Sequence, residues 1–301
     1  MSLRLLLLNF GCRMIGKTRL RYVQKPGSQR KDFEIVGTLF GGRGRGLIQR
    51  DEPGTPPRRI VAPEAGGKGV VLYFHGGGFI VGSPQSHIAL IRTLCRRSGC
   101  RVVVPDYALG PEFLLPAAQD DARRAWDQLI TEDLAPSDIV LAGDSAGGGM
   151  ALSLMAELGA EGLRPAACVA FCPWTDLTGS GASMVENARR DVLLPAERLP
   201  DLIGFAAGDA DLTDPRLSPL FATFEDPAPT LIQFAETEIL RDDALRMVQV
   251  LRSAGGRVEV QSWPHAPHTW QVFGAAVPES REAIAKAAVF IRAALDLARA
   301  D

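Results

Sequence analysis

Residues 143 to 147, Gly143-Asp144-Ser145-Ala146-Gly147, centre a serine in a G-x-S-x-G sequence between the apolar run Ile139-Val140-Leu141-Ala142 and the helix-like stretch Met150 to Leu158. A strand turning sharply into a helix holds its central residue in a strained conformation, and small flanking residues let the backbone fold that tightly. Ser145 would project from the tip as a nucleophile, at a helix N-terminus whose free N–H groups favour developing negative charge. The plainer reading is a serine that merely caps the helix. Two further patterns point to acyl transfer. His75-Gly76-Gly77-Gly78-Phe79 follows the buried-strand run Val70 to Phe74, and glycine N–H groups at a strand end can stabilise a tetrahedral oxyanion without side-chain obstruction. With the N–H of Ala146, those of Gly77 and Gly78 would make a three-donor oxyanion hole. The remaining partners then fall in the order such a fold needs, serine, acid, histidine. The acids Glu236, Glu238, Asp242 and Asp243 follow the strand-like Leu231 to Ala235, and His265 and His268 follow the strand-like Val258 to Trp263.

These residues need a scaffold that brings several strand ends together. Nearly continuous apolar runs predict strands near 70–74, 101–105, 138–142, 166–171, 229–235 and 257–263, a pattern suited to a parallel sheet covered on both faces. Helical periodicity predicts helices near 86–98, 118–131, 145–159, 241–254 and 279–299. The fold class is therefore α/β, mostly parallel and doubly wound. At 301 residues, with 46% hydrophobic and 23% charged residues, the chain is ordinary for a globular protein and suits one catalytic unit.

The chain resembles the hormone-sensitive-lipase family of α/β-hydrolases, the bacterial esterase branch called family IV. His75 to Gly78 matches the family's HGGG motif, and Gly143 to Gly148 its GDSAGG elbow. Pro105-Asp106-Tyr107-Ala108-Leu109-Gly110-Pro111-Glu112 is similar to DYRLAPE, with Gly110 for alanine and Phe113 for histidine, and Pro173-Trp174-Thr175-Asp176-Leu177 to PWTDL. After the acid-bearing strand many relatives carry G-x-x-D-P-L, whereas this chain reads Glu238-Ile239-Leu240-Arg241-Asp242-Asp243, like a subgroup with E-x-L-x-D-D. The resemblance thus implies a triad of Ser145, Glu238 and His268, with Asp242 as the alternative acid and His265 as a solvated loop residue. It further implies an α/β-hydrolase fold with a helical cap, and a carboxylesterase acting on short- to medium-chain acyl esters. An amidase or formamidase with the same triad, or a non-catalytic small-ligand receptor on the same fold, are the alternatives. Phe79, Leu193 and Phe205 are candidate pocket residues. No metal or other cofactor is expected, because zincin spacing and a phosphate-binding G-x-x-x-x-G-K-[ST] are absent from the sequence.

Two segments fall outside the strand and helix alternation. Residues 176–220 carry Met184, Val192, Leu193, Leu194, Leu199, Leu202, Ile203 and Phe205. A connection that long is seldom plain loop, so a second cap insertion is expected there. Residues 1–31 hold Arg4, Arg13, Lys17, Arg19, Arg21, Lys25, Arg30 and Lys31 and no acid, leaving twenty-five bases against thirty-five acids in the rest. Leu5 to Leu8 is too short to span a membrane and no cleavage site follows. The resemblance makes residues 1–45 an N-terminal cap on a catalytic domain of residues 46–301. Leu7, Phe10 and Met14 would face the pocket while the cations stay solvated, a reading that competes with a helix lying on anionic lipid. Gly41-Gly42-Arg43-Gly44-Arg45-Gly46 is basic and glycine-rich but lacks interleaved aromatics, which favours a hinge over nucleic-acid binding. Cys12, Cys95, Cys100, Cys168 and Cys172 are odd in number and scattered, and suggest a reduced, cytoplasmic setting. The expected partners are a small-molecule ester and at most a second copy in a homodimer, with no nucleic acid and no stable membrane insertion.

Overall fold

The computed structural model describes residues 1–22 and 26–299; Lys25 of the basic N-terminal segment lies outside the described residues. The chain begins with α1 (Leu3–Gly11), a π-helical turn at Cys12–Gly16, α2 (Lys17–Tyr22) and α3 (Pro26–Phe40). An antiparallel pair follows, β1 (Leu47–Glu52) and β2 (Arg58–Pro63). The body is β3 (Val70–Phe74), α4 (Ile88–Ser98), β4 (Arg101–Pro105), α5 (Ala117–Thr131), β5 (Ile139–Asp144), α6 (Ala146–Ala160) and β6 (Ala167–Phe171). Within residues 176–220 lie α7 (Ser183–Glu186) and α8 (Leu199–Ala207), and the chain ends with β7 (Thr230–Ala235), α9 (Arg241–Ser253), β8 (Val258–Trp263) and α10 (Pro278–Ala298).

The eight strands form one sheet in the order β1-β2-β4-β3-β5-β6-β7-β8, antiparallel at β1, β2 and β4 and parallel from β4 onward. The six anticipated strands are all present, and the mostly parallel, doubly wound class holds. β3, β5, β6 and β7 are buried at every residue, as a sheet covered on both faces requires. One face packs against α5, α6 and α9 through Trp126, Met150, Leu154, Met247 and Leu251. The other packs against α4 and α10 through Ile88, Ile91, Leu94, Ile284 and Ile291.

β1 and β2 were not anticipated, and their chemistry explains why. β1 reads Leu-Ile-Gln-Arg-Asp-Glu at an open edge, where cross-strand ion pairs Arg59–Asp51 and Arg58–Glu52 replace apolar packing. The Gly41–Gly46 stretch is the connection into β1. The carbonyls of Gly41, Gly42, Arg43 and Arg45 accept from Arg92 and Arg96 of α4, which ties the linker to the body. Among the described residues no helix is long and apolar enough to cross a membrane.

Of the N-terminal cations, Arg4, Arg13, Arg19, Arg21 and Lys31 are exposed as anticipated, whereas Lys17 is buried, contrary to expectation. Arg19 pairs with Asp32, Arg21 with Glu197 and Arg30 with Glu112, while Lys17 is only 9% exposed and donates to main-chain carbonyls. Arg21 and Arg30 thus tie the basic segment to carboxylates of the 176–220 insertion and of the body.

Candidate active site

β5 runs directly into Ser145, whose backbone sits at φ 53° and ψ −122°, and then into α6. That conformation is strained for a residue with a Cβ, and the surroundings hold it in place. A Cβ on Gly143 would lie 2.2 Å from the Gly147 carbonyl oxygen, and one on Gly147 would lie 2.1 Å from that of Phe74. Only glycine lets the elbow close so tightly. Ser145 N–H donates to Phe171 O at 2.8 Å, which fixes the turn to the neighbouring strand.

Three strand ends bring the anticipated partners to this serine. His268 follows β8 and places Nε2 2.9 Å from Ser145 Oγ. Its Nδ1 is hydrogen-bonded to the carboxylate of Glu238, which follows β7 and also accepts from Ala235 N–H at 2.9 Å. Both are buried, at 3% and 1% exposure. The rival residues lie elsewhere. Asp242 sits in the first turn of α9, accepts from Ser183 N–H at 2.9 Å and pairs with Arg241. Asp243 accepts from the N–H groups of Thr175 and Asp176, and burial pushes its pKa up to about 7. His265 is exposed, and its carbonyl accepts from Asn9 Nδ2 at 2.7 Å.

The loop after β3 presents Gly77 and Gly78 beside Ser145. Gly77 has φ +124°, and a Cβ there would meet the Val81 carbonyl oxygen at 2.1 Å. The Gly77 carbonyl accepts from Ile80 N–H and Val81 N–H and the Gly76 N–H donates to Asp144, while among the described residues the N–H groups of Gly77, Gly78 and Ala146 have no acceptor. A buried polar group beneath fixes the loop, and sequence reasoning passed over it. Asp144 accepts from Gly76 N–H at 2.9 Å and from Tyr73 Oη at 2.6 Å, with His87 Nε2 at 3.3 Å. Burial would raise the Asp144 pKa, but the adjacent His87 and these hydrogen bonds bring it below its ordinary value. Tyr107 Oη donates to His75 O at 2.6 Å, and its ring stacks on His75 at 4.2 Å. Burial first, and then His87, lower the His75 pKa to about 3, so this histidine is neutral in the working range.

Ser145 and His268 open into a cavity of about 820 Å³. Leu7, Ile15 and Phe33 wall it from the N-terminal helices, and Leu193, Leu202 and Phe205 from the insertion at 176–220. Leu193 and Phe205 therefore sit where anticipated, and Phe79 does not. Its φ of +61° turns the side chain into the core beside Trp174, where it is 1% exposed and outside the cavity wall. Of the anticipated cap face only Leu7 lines the cavity. Phe10 and Met14 are 66% and 57% exposed away from it, while Leu8, Gly11 and Cys12 take their place. The lining residues Leu7, Leu8, Gly11, Cys12 and Ile15 keep helical spacing, on a face of the N-terminal helix rotated away from the one that carries Phe10 and Met14.

Cys172 is a further neighbour that sequence reasoning missed. Its Sγ accepts from Thr269 N–H at 3.3 Å, and burial, reinforced by the charge of Glu238, pushes its thiol pKa well up. One ligand atom each from Cys172, Glu238 and His268 lies within 4.8 Å of the others, a donor set able to hold a soft divalent ion. In the structure described, the imidazole and carboxylate of that set are hydrogen-bonded to each other. All five cysteines are buried and unpaired.

Residues 71–272 match the family described as the alpha/beta hydrolase fold. The chain is 36% identical over 225 residues to an acetyl-hydrolase of Streptomyces hygroscopicus, covering 74% of this chain and 75% of that protein. It is 33% identical over 232 residues to an esterase of Acinetobacter venetianus, covering 76% and 77%. A solved esterase of the bacterial hormone-sensitive lipase family superposes with a TM-score of 0.90 at 30% identity, over 98% of this chain and 99% of that one. With an eight-stranded sheet, a nucleophile elbow and these relatives in agreement, the chain belongs to the hormone-sensitive-lipase-like esterases, bacterial family IV, of the α/β-hydrolases.

Proposed function

We propose that the protein is a carboxylesterase in which Ser145 is the nucleophile, His268 the general base and Glu238 the triad acid, acting on esters with acyl chains of about two to eight carbons. The observation that carries this reading is the unbroken hydrogen-bonded run Ser145 Oγ, His268 and Glu238, whose serine and histidine line an apolar cavity together with Gly77 and Gly78. Ser145 Oγ attacks the ester carbonyl as its proton passes to His268 Nε2, and the carboxylate of Glu238 holds the Nδ1 proton and stabilises the imidazolium. The oxyanion is met by the N–H groups of Gly77, Gly78 and Ala146. His268 returns the proton to the departing alcohol, then takes one from a water that attacks the acyl-serine, and the acid leaves. The division into a cap of residues 1–45 and 176–220 over a catalytic unit of residues 46–301 belongs to the same reading, as does a reduced, cytoplasmic setting.

The acetyl-hydrolase relative supports a short acyl group, and a cavity of about 820 Å³ leaves room for a larger alcohol portion. A rate panel of p-nitrophenyl esters of rising acyl length, beside the matching anilides, tests the reading. We expect a maximum between two and eight carbons and far slower anilides. A maximum at twelve carbons or longer, or activation by an oil–water interface, would favour a lipase instead, and fast anilides an amidase. Absence of turnover with tight acyl-ligand binding would mark a receptor.

The pH profile should follow His268. Burial opposes its charged form, but the charge and hydrogen bond of Glu238, with Asp191 and Asp144 nearby, raise its pKa above the ordinary histidine value. Only the neutral imidazole accepts the serine proton, so kcat/KM should fall as pH drops through that raised value. An acid limb below the ordinary histidine range would contradict the electrostatics.

Deleting residues 1–40 should raise KM and weaken chain-length preference while small organophosphates still label Ser145. Arg19, Arg21 and Arg30 are committed to carboxylates of the protein and Lys17 to main-chain carbonyls, which reduces the charge this segment can offer lipid. We expect no sedimentation of the intact protein with anionic vesicles. Salt-reversible sedimentation would show the lipid-docking alternative.

A further inference from the structure

Asp191 lies in the connection between α7 and α8, is 1% exposed, and has both carboxylate oxygens engaged by backbone donors. Oδ1 accepts from Leu193 N–H and Leu194 N–H, each at 2.8 Å, and Oδ2 accepts from Ile239 N–H at 3.0 Å. Leu193 and Leu194 form cavity wall, and Ile239 directly follows Glu238. One side chain therefore pins the substrate wall to the loop that carries the acid. Asn187, four residues earlier, acts on the same loop, with Nδ2 donating to Glu236 O and to Glu238 O at 2.9 Å.

The N-terminal cap grips this clamp from the other side. Lys17 Nζ donates to Ala188 O at 2.9 Å and to Asp191 O at 2.7 Å. Burying an ammonium among carbonyls is costly unless its donors are used, and here two of the three are. Removing Lys17 would leave carbonyls unpaired under the cap, so the contact is fixed in one geometry rather than sliding.

We infer that Asp191 is a positioning residue for the esterase reaction, and that Lys17 latches the cap onto it, so that seating of the cap and alignment of Glu238 on His268 are one linked event. The inference rests on the Ser145–His268–Glu238 reading proposed above. Asp191 acts through the backbone of Ile239 and, at longer range, through its charge on His268. The groups bearing on that imidazole are Glu238 from the loop after β7, Asp191 from the insertion, Asp144 from the end of β5 and Cys172 from the end of β6. Burial raises the Asp191 pKa against the pull of His268 and the three N–H donors, and the acceptor-only pattern of its oxygens is that of a carboxylate.

The test compares Asp191→Asn, Lys17→Met and His268→Ala with the parent, each normalised to reactive serine by organophosphate titration or, for His268→Ala, to folded protein. An asparagine must turn its NH2 toward one of the three backbone donors, so it loosens either the wall or the acid loop. For Asp191→Asn we expect kcat lower by roughly ten- to a hundredfold, as for misplacement of a catalytic group on the order of 1 Å, and an acid limb moved to lower pH because a negative charge has left His268. Lys17→Met should raise KM and lower kcat about tenfold, with the acid limb unmoved. A merely structural Asp191 would lower the melting temperature without moving the limb or the turnover per site. Parent-like kcat and an unmoved limb in Asp191→Asn overturn the inference. If that variant does not fold, parent-like kinetics in Lys17→Met overturn it instead. Near-parent turnover in His268→Ala would remove the underlying triad reading, whereas an inert His268→Ala beside a parent-like Asp191→Asn removes the positioning role alone.

Discussion

Replacing Ser145 with alanine should lower ester turnover by about 10⁴- to 10⁶-fold while leaving the fold intact. The side chain contributes one hydrogen bond, to His268 Nε2, and the strained turn is held by backbone contacts that alanine keeps. Ser145 N–H still donates to Phe171 O, and Ser145 O still accepts from Gly149 N–H and Trp174 N–H. Serine and alanine meet the same Cβ penalty at φ 53°, so the melting temperature should change little. Acyl-ligand binding should survive too, because the cavity wall and the oxyanion donors are untouched. Burst kinetics with p-nitrophenyl acetate beside a thermal melt would check this. A folded Ser145→Ala protein that still shows a burst would overturn the serine mechanism, and loss of binding along with turnover would mean that Ser145 holds the site together.

The parts of this site legible in the sequence are those whose signal is local. Gly143 to Gly147 advertises an elbow because strand, tight turn and helix follow one another within a few residues, and the central strands stand out because both their faces are buried. What escaped is what distant chain segments do to one another. Asp144 reads as a motif letter, yet it ties Tyr73, Gly76 and His87 together across 71 residues of sequence. Lys17 reads as a solvated cation, and only the tertiary structure supplies the carbonyls, more than 170 residues away, that let it be buried. Phe79 is a candidate pocket residue in the sequence, but its positive φ turns it into the core and out of the cavity wall. β1 and β2 escaped for a different reason: an edge pair held by ion pairs lacks the apolar periodicity by which strands are recognised.

The choice of acid is where sequence motif and geometry bear on each other most directly. His268→Ala and Glu238→Ala should each reduce kcat by at least about 10³-fold, since loss of either leaves the serine without a correctly held base. His265→Ala and Asp242→Ala should cost roughly tenfold or less. Asp242 is a first-turn carboxylate of α9 that accepts from the Ser183 backbone, so its removal should appear in the melt, at about 1 kcal/mol, before it appears in turnover. Glu238→Gln is the sharper probe. It keeps the volume and can still accept from Ala235 N–H, but it removes the charge that raises the His268 pKa. The acid limb should therefore move to lower pH even as kcat falls, because the imidazole becomes a weaker base and loses the partner that fixes its tautomer. If Asp242→Ala proves the severe variant, the match to E-x-L-x-D-D has been read at the wrong carboxylate. Glu238 would then be a buried structural acid, and the imidazole would have to be oriented by a side chain that in this structure is bonded to Ser183 and Arg241 instead.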